Sequence, residues 1–419
     1  MDLLLKNAHI IDPNSPFHNK KSDILIKNGK IAEIGKVNSK GAKIIESKNL
    51  CVSPGWLDVH ANFCDPGNEH KETLQNGIKS AAKGGFTGVI LSPASNPIID
   101  SKSGIEYIVN QTKNSVVDVY PTGHLSAKGA GKDLSEMFDM QQSGAIAFTD
   151  GKSSINNTEL IKLALLYGKK FNALLVLNAE DKNLAADGYI NESKVSAQLG
   201  LKTRPIIAED VAVATNLSLL EYTEGRLHLN NISGGRAVEL IKEAKKKKLN
   251  ISADAAVLNL VFNDEEIMGF NSNFKVLPPL RDEQSRKALV AGIKNGTIDF
   301  ITSNHEPQNI ENKLCEFDHA EFGAAIIENT FSVLNTYLNK ELSLESIIEK
   351  ISIAPRKVFG LEIPTIKVGE SANITLFDPS EKVVINEKSL QSLSKNNPFI
   401  GKTLTGKVLG IINHGKLSA

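Results

Sequence analysis

Cysteine is scarce. The 419 residues hold three, Cys51, Cys64 and Cys315, far apart and without C-x-x-C spacing. That argues against a disulfide framework or a zinc knuckle and fits a reducing compartment. Net charge is also lacking: 48 basic residues balance 48 acidic ones, so no overall field draws the chain to nucleic acid or an anionic membrane. No apolar run approaches the ~18 residues that span a bilayer, and the amino end lacks the charged stretch and cleavage site of a secretion signal. The expectation is a cytoplasmic protein. The one basic block, Lys245-Lys246-Lys247-Lys248, closes an amphipathic segment and reads as a solvated helix C-terminus that suits the helix dipole.

Ordinary globular composition is present instead, with 41% apolar and 23% charged residues, in a chain long enough for a large domain and a smaller one. The first fifty residues read as short strands: 3–11, then 23–26 and 31–34 around Asn28-Gly29, a strong hairpin signal. The carboxyl end has the same style at 372–377 and 406–412. Residues 1–52 and 363–419 are therefore expected to pair into one small β-rich domain. Between them, residues 53–362 alternate apolar strands with helical segments. Strands are expected at 56–60, 88–92, 117–121, 145–149, 174–178, 226–230, 250–254 and 298–302. Helices are expected at 73–83, 158–167, 209–222 and 282–294. Eight strand–helix units make a (β/α)₈ barrel the expected fold, of class α/β. A doubly wound sheet needs fewer strands, and no G-x-G-x-x-G opens the first helix. In such barrels chemistry sits at the C-terminal strand ends.

There the sequence becomes specific. Pro54-Gly55-Trp56-Leu57-Asp58-Val59-His60-Ala61-Asn62-Phe63-Cys64-Asp65-Pro66-Gly67 resembles the first-strand signature of the dihydroorotases, cyclic amidohydrolases of the amidohydrolase superfamily. The likeness runs on in family order through Val119 to Gly123, Asn178 to Asp181, Pro278 to Arg281, Asn304 to Pro307, Phe317 to Gly323 and Asn397 to Gly401. It implies a superfamily barrel with a small β-domain made from both termini, and a place in de novo pyrimidine biosynthesis.

An active member of that family holds two zinc ions. Imidazole and carboxylate ligands suit zinc, which lowers the pKa of a bridging water towards ~7 and polarises the amide carbonyl. An aspartate then moves the proton to the leaving nitrogen. By resemblance the metal positions here are His60, Asn62, Asp150, Asn178, Asn231 and Asn304. His60 and Asp150 keep ligand character, whereas the other four are neutral amides, weak donors for zinc. Asn304 stands at the family's catalytic aspartate and cannot take a proton in its role. On the substrate side Cys64 replaces the arginine that clamps the substrate carboxylate, and Ala94 and Leu277 replace two polar contacts.

Losing metal ligands, base and clamp together implies a non-catalytic, pseudo-dihydroorotase character with no metal. By resemblance, the implied partner is aspartate carbamoyltransferase, in a homo-oligomer or hetero-complex. The four asparagines are expected to line a polar pocket where zinc would sit, either water-filled or closed by hydrogen bonds among the amides and to His60 or Asp150. Asp58 is expected on the barrel-facing side with His60, and His228 in the core or facing solvent. His305 follows the lost base and could serve as a stray acid or base. Cys64 would be reactive only if exposed. Two other readings stay open: a working dihydroorotase or related hydrolase using one zinc at His60 and Asp150, and a binding protein for a small ligand.

Overall fold

A computed structural model of the chain describes residues 2–37 and 41–419. Five strands come first: β1 (Leu3–Ile10), β2 (Lys21–Lys27), β3 (Lys30–Gly35), β4 (Lys43–Ile45) and β5 (Cys51–Pro54). Strands β6 (Trp56–Ala61), β7 (Phe86–Leu91), β8 (Asp118–Pro121) and β9 (Leu175–Asn178) follow. After the short parallel pair β10 (Ile190–Asn191) and β11 (Thr203–Arg204) come β12 (Leu227–Asn230), β13 (Ile251–Ala256) and β14 (Phe300–Thr302). The chain ends with β15 (Ile374–Val384), β16 (Thr403–Asn413) and β17 (Lys416–Ser418).

Both ends of the chain meet in one eight-stranded sheet, ordered β17-β16-β15-β5-β1-β2-β3 with β4 on β1. Its core is aliphatic, from Leu3, Leu5 and Ile10 to Ile374, Leu376 and Ile412. The β2–β3 hairpin turns at Asn28 and Gly29, whose φ of 50° and 76° suit the tight primed turns that Asn-Gly favours.

The barrel is built from two parallel sheets, β6-β7-β8 and β9-β12-β13-β14. The segment 145–149, expected as a full strand, joins them by narrow bridges only: Phe148 pairs with Gly123 on one side and Leu175 on the other. Backbone bonds from Val176 N to Phe148 O (2.8 Å) and Thr149 N to Gly123 O (2.9 Å) complete the wall. The seam between β14 and β6 is closed by Asn62 N donating to His305 O at 2.9 Å. Helices at 74–83, 158–169, 207–223 and 283–295 lie where their apolar spacing placed them. Lys245 and Lys246 end the helix 235–246 as expected, although Lys245 is drawn into a bond with Asp299 at 2.7 Å.

The barrel floor is packed by Leu57, Val59, Ile90, Val176 and Phe300 against Phe359. Beside it, Trp56, the single tryptophan, packs on Phe86, Phe331 and Phe377 and donates to Ser53 Oγ at 2.9 Å, fastening barrel to sheet. Gly55 has no room for a side chain: a Cβ there would sit 2.0 Å from both Asn373 and Thr87. A rigid floor and a clamped sheet leave the upper strand ends as the place where side chains converge.

Candidate functional site at the barrel mouth

His60 lies at a break in the β6–β7 register and takes a φ of 64°. The break ends strict alternation along β6. Asp58, expected to orient side chains inside the barrel, accepts from Ser303 N at 2.8 Å and from Ser303 Oγ, bracing the loop after β14. Burial pushes its carboxyl up to about 6. The partner of His60 is Asp254 on β13, a residue the sequence reading had not singled out. Asp254 Oδ2 receives His60 Nε2 at 3.0 Å and His228 Nε2 at 2.7 Å, while Oδ1 accepts from Asn231 N at 2.8 Å. His228 is fully buried, as the core reading had it, stacked on Phe300 with ring centroids 5.1 Å apart. Burial lowers its pKa and keeps it neutral, so with Nε2–H given to Asp254, its Nδ1 accepts from Ser252 Oγ at 2.9 Å. The two histidines hold the Asp254 carboxyl well below the usual carboxylate range despite its burial.

The six family metal positions do not hydrogen-bond to one another as a set. Asp150, expected to bond His60 or nearby amides, accepts from Ser126 N at 2.9 Å and from Ser126 Oγ. Asn178 donates to Lys152 O (3.1 Å) and Ser154 Oγ (3.0 Å). Asn62 donates to Glu306 Oε1 at 2.8 Å. Only Asn231 and Asn304 meet, at a long 3.5 Å, and Asn304 gives its other bond to Leu277 O at 3.0 Å. The expected amide-to-amide web is thus mostly replaced by bonds to neighbouring loops. Asn231 and Asn304 take φ of 53° and 50°, a left-handed conformation that asparagine tolerates better than most residues.

The substrate side is changed as well. Cys64 is buried, its thiol pushed up by burial, which removes the reactive option. The cavity lined by Asn62, Cys64, Ala94 and Thr122 has about 10 Å³ of room, no more than one water. Arg281 of the Pro-Pro-Leu-Arg motif is buried and bonded to Ser233, Asn191 and the Arg204 carbonyl, a structural hub. Sequence reading also missed Glu306 and Lys152, paired at 3.0 Å across the mouth. Their signal was visible as two charged residues flanking site positions, Lys152 two after Asp150 and Glu306 two after Asn304.

These residues do not fit a zinc pair. Of the six positions, His60 offers an imidazole already bonded to Asp254, Asp150 offers a carboxylate committed to Ser126, and four offer amides. Two remaining ligands fall short of the three protein ligands a catalytic zinc uses. Among the described residues, His60, His228 and Asp254 form the one group of three whose ligand atoms lie within 4.8 Å of one another. Both imidazoles meet the same carboxylate oxygen at hydrogen-bond length, which satisfies the group internally.

His305, offered as a stray acid or base, is buried, and its Nδ1 accepts from Ile327 N at 3.4 Å. Burial pulls its pKa down to about 3. A histidine whose folded pKa lies below the unfolded value near 6.5 favours unfolding as pH drops, because only the unfolded chain takes the proton. Asp58, raised by burial, acts with opposite sign below pH 6, so a comparison isolates the histidine. His305→Gln removes this term. Its stability deficit relative to the natural chain should shrink by about 1.4 kcal/mol per pH unit below 6.5. Urea unfolding at pH 7, 6 and 5 checks this; a deficit independent of pH would contradict it.

The whole chain superposes on L-hydantoinase from Arthrobacter aurescens with a TM-score of 0.85, 23% identity, and coverage of 100% of this chain and 96% of that one. A dihydropyrimidinase from Brevibacillus agri matches at 0.82 and 23% identity over 100% and 95%. The fold is therefore the one these two proteins have, a barrel with an added β-domain. The family model described as Dihydro-orotase-like matches residues 49–236. Dihydroorotases of Ruminiclostridium cellulolyticum and Aquifex aeolicus are 37% and 35% identical, covering 97% and 100% of this chain and 96% and 99% of theirs. The chain belongs to the dihydroorotase family. No helix among the described residues is long and apolar enough to cross a membrane.

Proposed function

We propose that this chain is a non-catalytic dihydroorotase homologue of de novo pyrimidine biosynthesis that serves as a structural partner of aspartate carbamoyltransferase. The observation that carries the reading is the mouth itself. The four replaced metal positions are amides, three bonded to neighbouring loops and Asn231 to Asn304, while the two remaining ligands are bonded to Ser126 and Asp254. A cyclic substrate needs an activated water there, and the side chains that remain at the metal positions do not supply one.

A scaffolding role draws support from the outer helices. Leu163, Leu166 and Tyr167 are exposed at i, i+3 and i+4 of the helix 158–169, and Tyr167 and Phe138 both pack edge-on against Phe171. An exposed apolar patch of this kind suits a protein partner. The test has two arms. The purified chain, supplied with zinc, should show no turnover of dihydroorotate or carbamoyl aspartate. Mixed with the aspartate carbamoyltransferase of the same cell, it should elute as a larger complex. Turnover abolished by His60→Ala would revive a reduced-metal enzyme using His60 and Asp150; separate elution would remove the partnership.

A further inference from the structure

Glu306 is the side chain that neither the fold nor the family pattern accounts for. It reaches across the mouth from the loop after β14, and its two oxygens meet two groups of different kind. Oε1 accepts from Asn62 Nδ2 at 2.8 Å, and Oε2 lies 3.0 Å from Lys152 Nζ. The orientation of the Asn62 amide is fixed independently, because its Oδ1 accepts from Cys64 N at 2.8 Å. Its NH₂ end must therefore face the mouth. The Lys152 ammonium is shielded from solvent and makes no well-aligned hydrogen bond, so its pairing with Glu306 rests on charge and distance. An ammonium with three donors and one ionic contact is short of acceptors.

The surrounding backbone holds this arrangement in place. Glu306 N donates to Ala324 O at 2.9 Å, and its carbonyl accepts from Asn396 Nδ2 at 3.0 Å. Gly323, with φ 137°, packs so closely that a Cβ there would lie 2.6 Å from Glu306 Cγ. On the other side the Lys152 carbonyl accepts from Asn178. Lys152 also bears electrostatically on His305 and Lys313.

An amide donor and an ammonium, held apart by a carboxylate's width and fixed by separate loops, make a receptor for a carboxylate. We propose that Asn62 and Lys152 form an anion subsite and that Glu306 is its tethered occupant, excluding free small carboxylates from the mouth. This deepens the non-catalytic reading, on which it rests only in taking the mouth to be free of substrate.

Glu306→Ala should open the subsite. Malonate and acetate, titrated calorimetrically and by thermal shift with chloride as control, should bind this variant saturably and at least about tenfold more tightly than the natural chain. That is the effect of removing a competing internal ligand. Lys152→Met on the Glu306→Ala background should abolish the gain. Should Glu306→Ala not fold, Glu306→Gln keeps an acceptor for Asn62 and removes the charge, and the same gain is expected in smaller degree. Equal binding by natural chain and folded variant, or a gain that survives Lys152→Met, would overturn the proposal. Zinc content and dihydroorotate turnover of the same samples report on the non-catalytic reading separately.

Discussion

Replacing Asn62, Asn178 and Asn231 by histidine and Asn304 by aspartate in one variant should bring about two zinc ions per chain, where the natural chain holds about none. The four changes restore imidazole and carboxylate donors at the strand ends. They also cut the bonds the amides now make, including Asn178 to Ser154 and Asn62 to Glu306. Single replacements should gain little, since each leaves a site with too few donors and Asp150 still bound to Ser126. Elemental analysis after dialysis against a mild chelator is the measurement. Two ions retained by the natural chain would defeat the emptied-site reading. Hydrolysis is not expected to return with the metal, because Cys64 remains buried where a guanidinium would have to hold the substrate.

The second large effect lies one layer deeper. Asp254→Ala should cost about 3–5 kcal/mol of stability, since three buried donors lose their acceptor at roughly 1–3 kcal/mol each. The loss leaves two imidazole N–H groups and the Asn231 N–H without an acceptor in the barrel interior. Chemical denaturation would show it as a fall in midpoint. Adding His228→Phe should recover part of the loss, since a phenyl ring can stack on Phe300 as the imidazole does without asking for a partner. A cost for Asp254→Ala below about 1 kcal/mol would mean that the carboxylate does not hold the histidines together. The same variants bear on metal content: a single ion lost with Asp254 would place a cation among His60, His228 and Asp254.

The strand ends and family positions were legible because they lie in local patterns. Apolar runs at 56–60 and 226–230, and the order of the motifs around them, give barrel and site without tertiary knowledge. Partnerships were not legible. His60 reaches Asp254 across 194 positions of sequence, from a register break in β6 that no period-two pattern announces. Asp150 finds Ser126, a residue with no signal of its own. Glu306 stands two residues after the absent base at Asn304, and nothing in the local pattern shows that its charge meets Asn62 and Lys152. The segment 145–149 reads as an ordinary strand, yet its narrow pairing through Phe148 depends on how its neighbours diverge. Local spacing encodes where a side chain starts; what it meets depends on closure of the whole wall.

The shared sheet of the two chain ends has a bearing on biogenesis. β5 pairs with β15, joining Val52 to Leu376, so the amino-terminal strands leave the ribosome long before their mate exists. At roughly 5–20 residues per second the wait is on the order of half a minute. Throughout that interval β5 presents an unpaired edge, a hazard for mispairing with other nascent chains. The barrel between them can assemble meanwhile from its own parallel neighbours. Completion of the flanking sheet therefore follows synthesis of the barrel, and β15 acts as its latch.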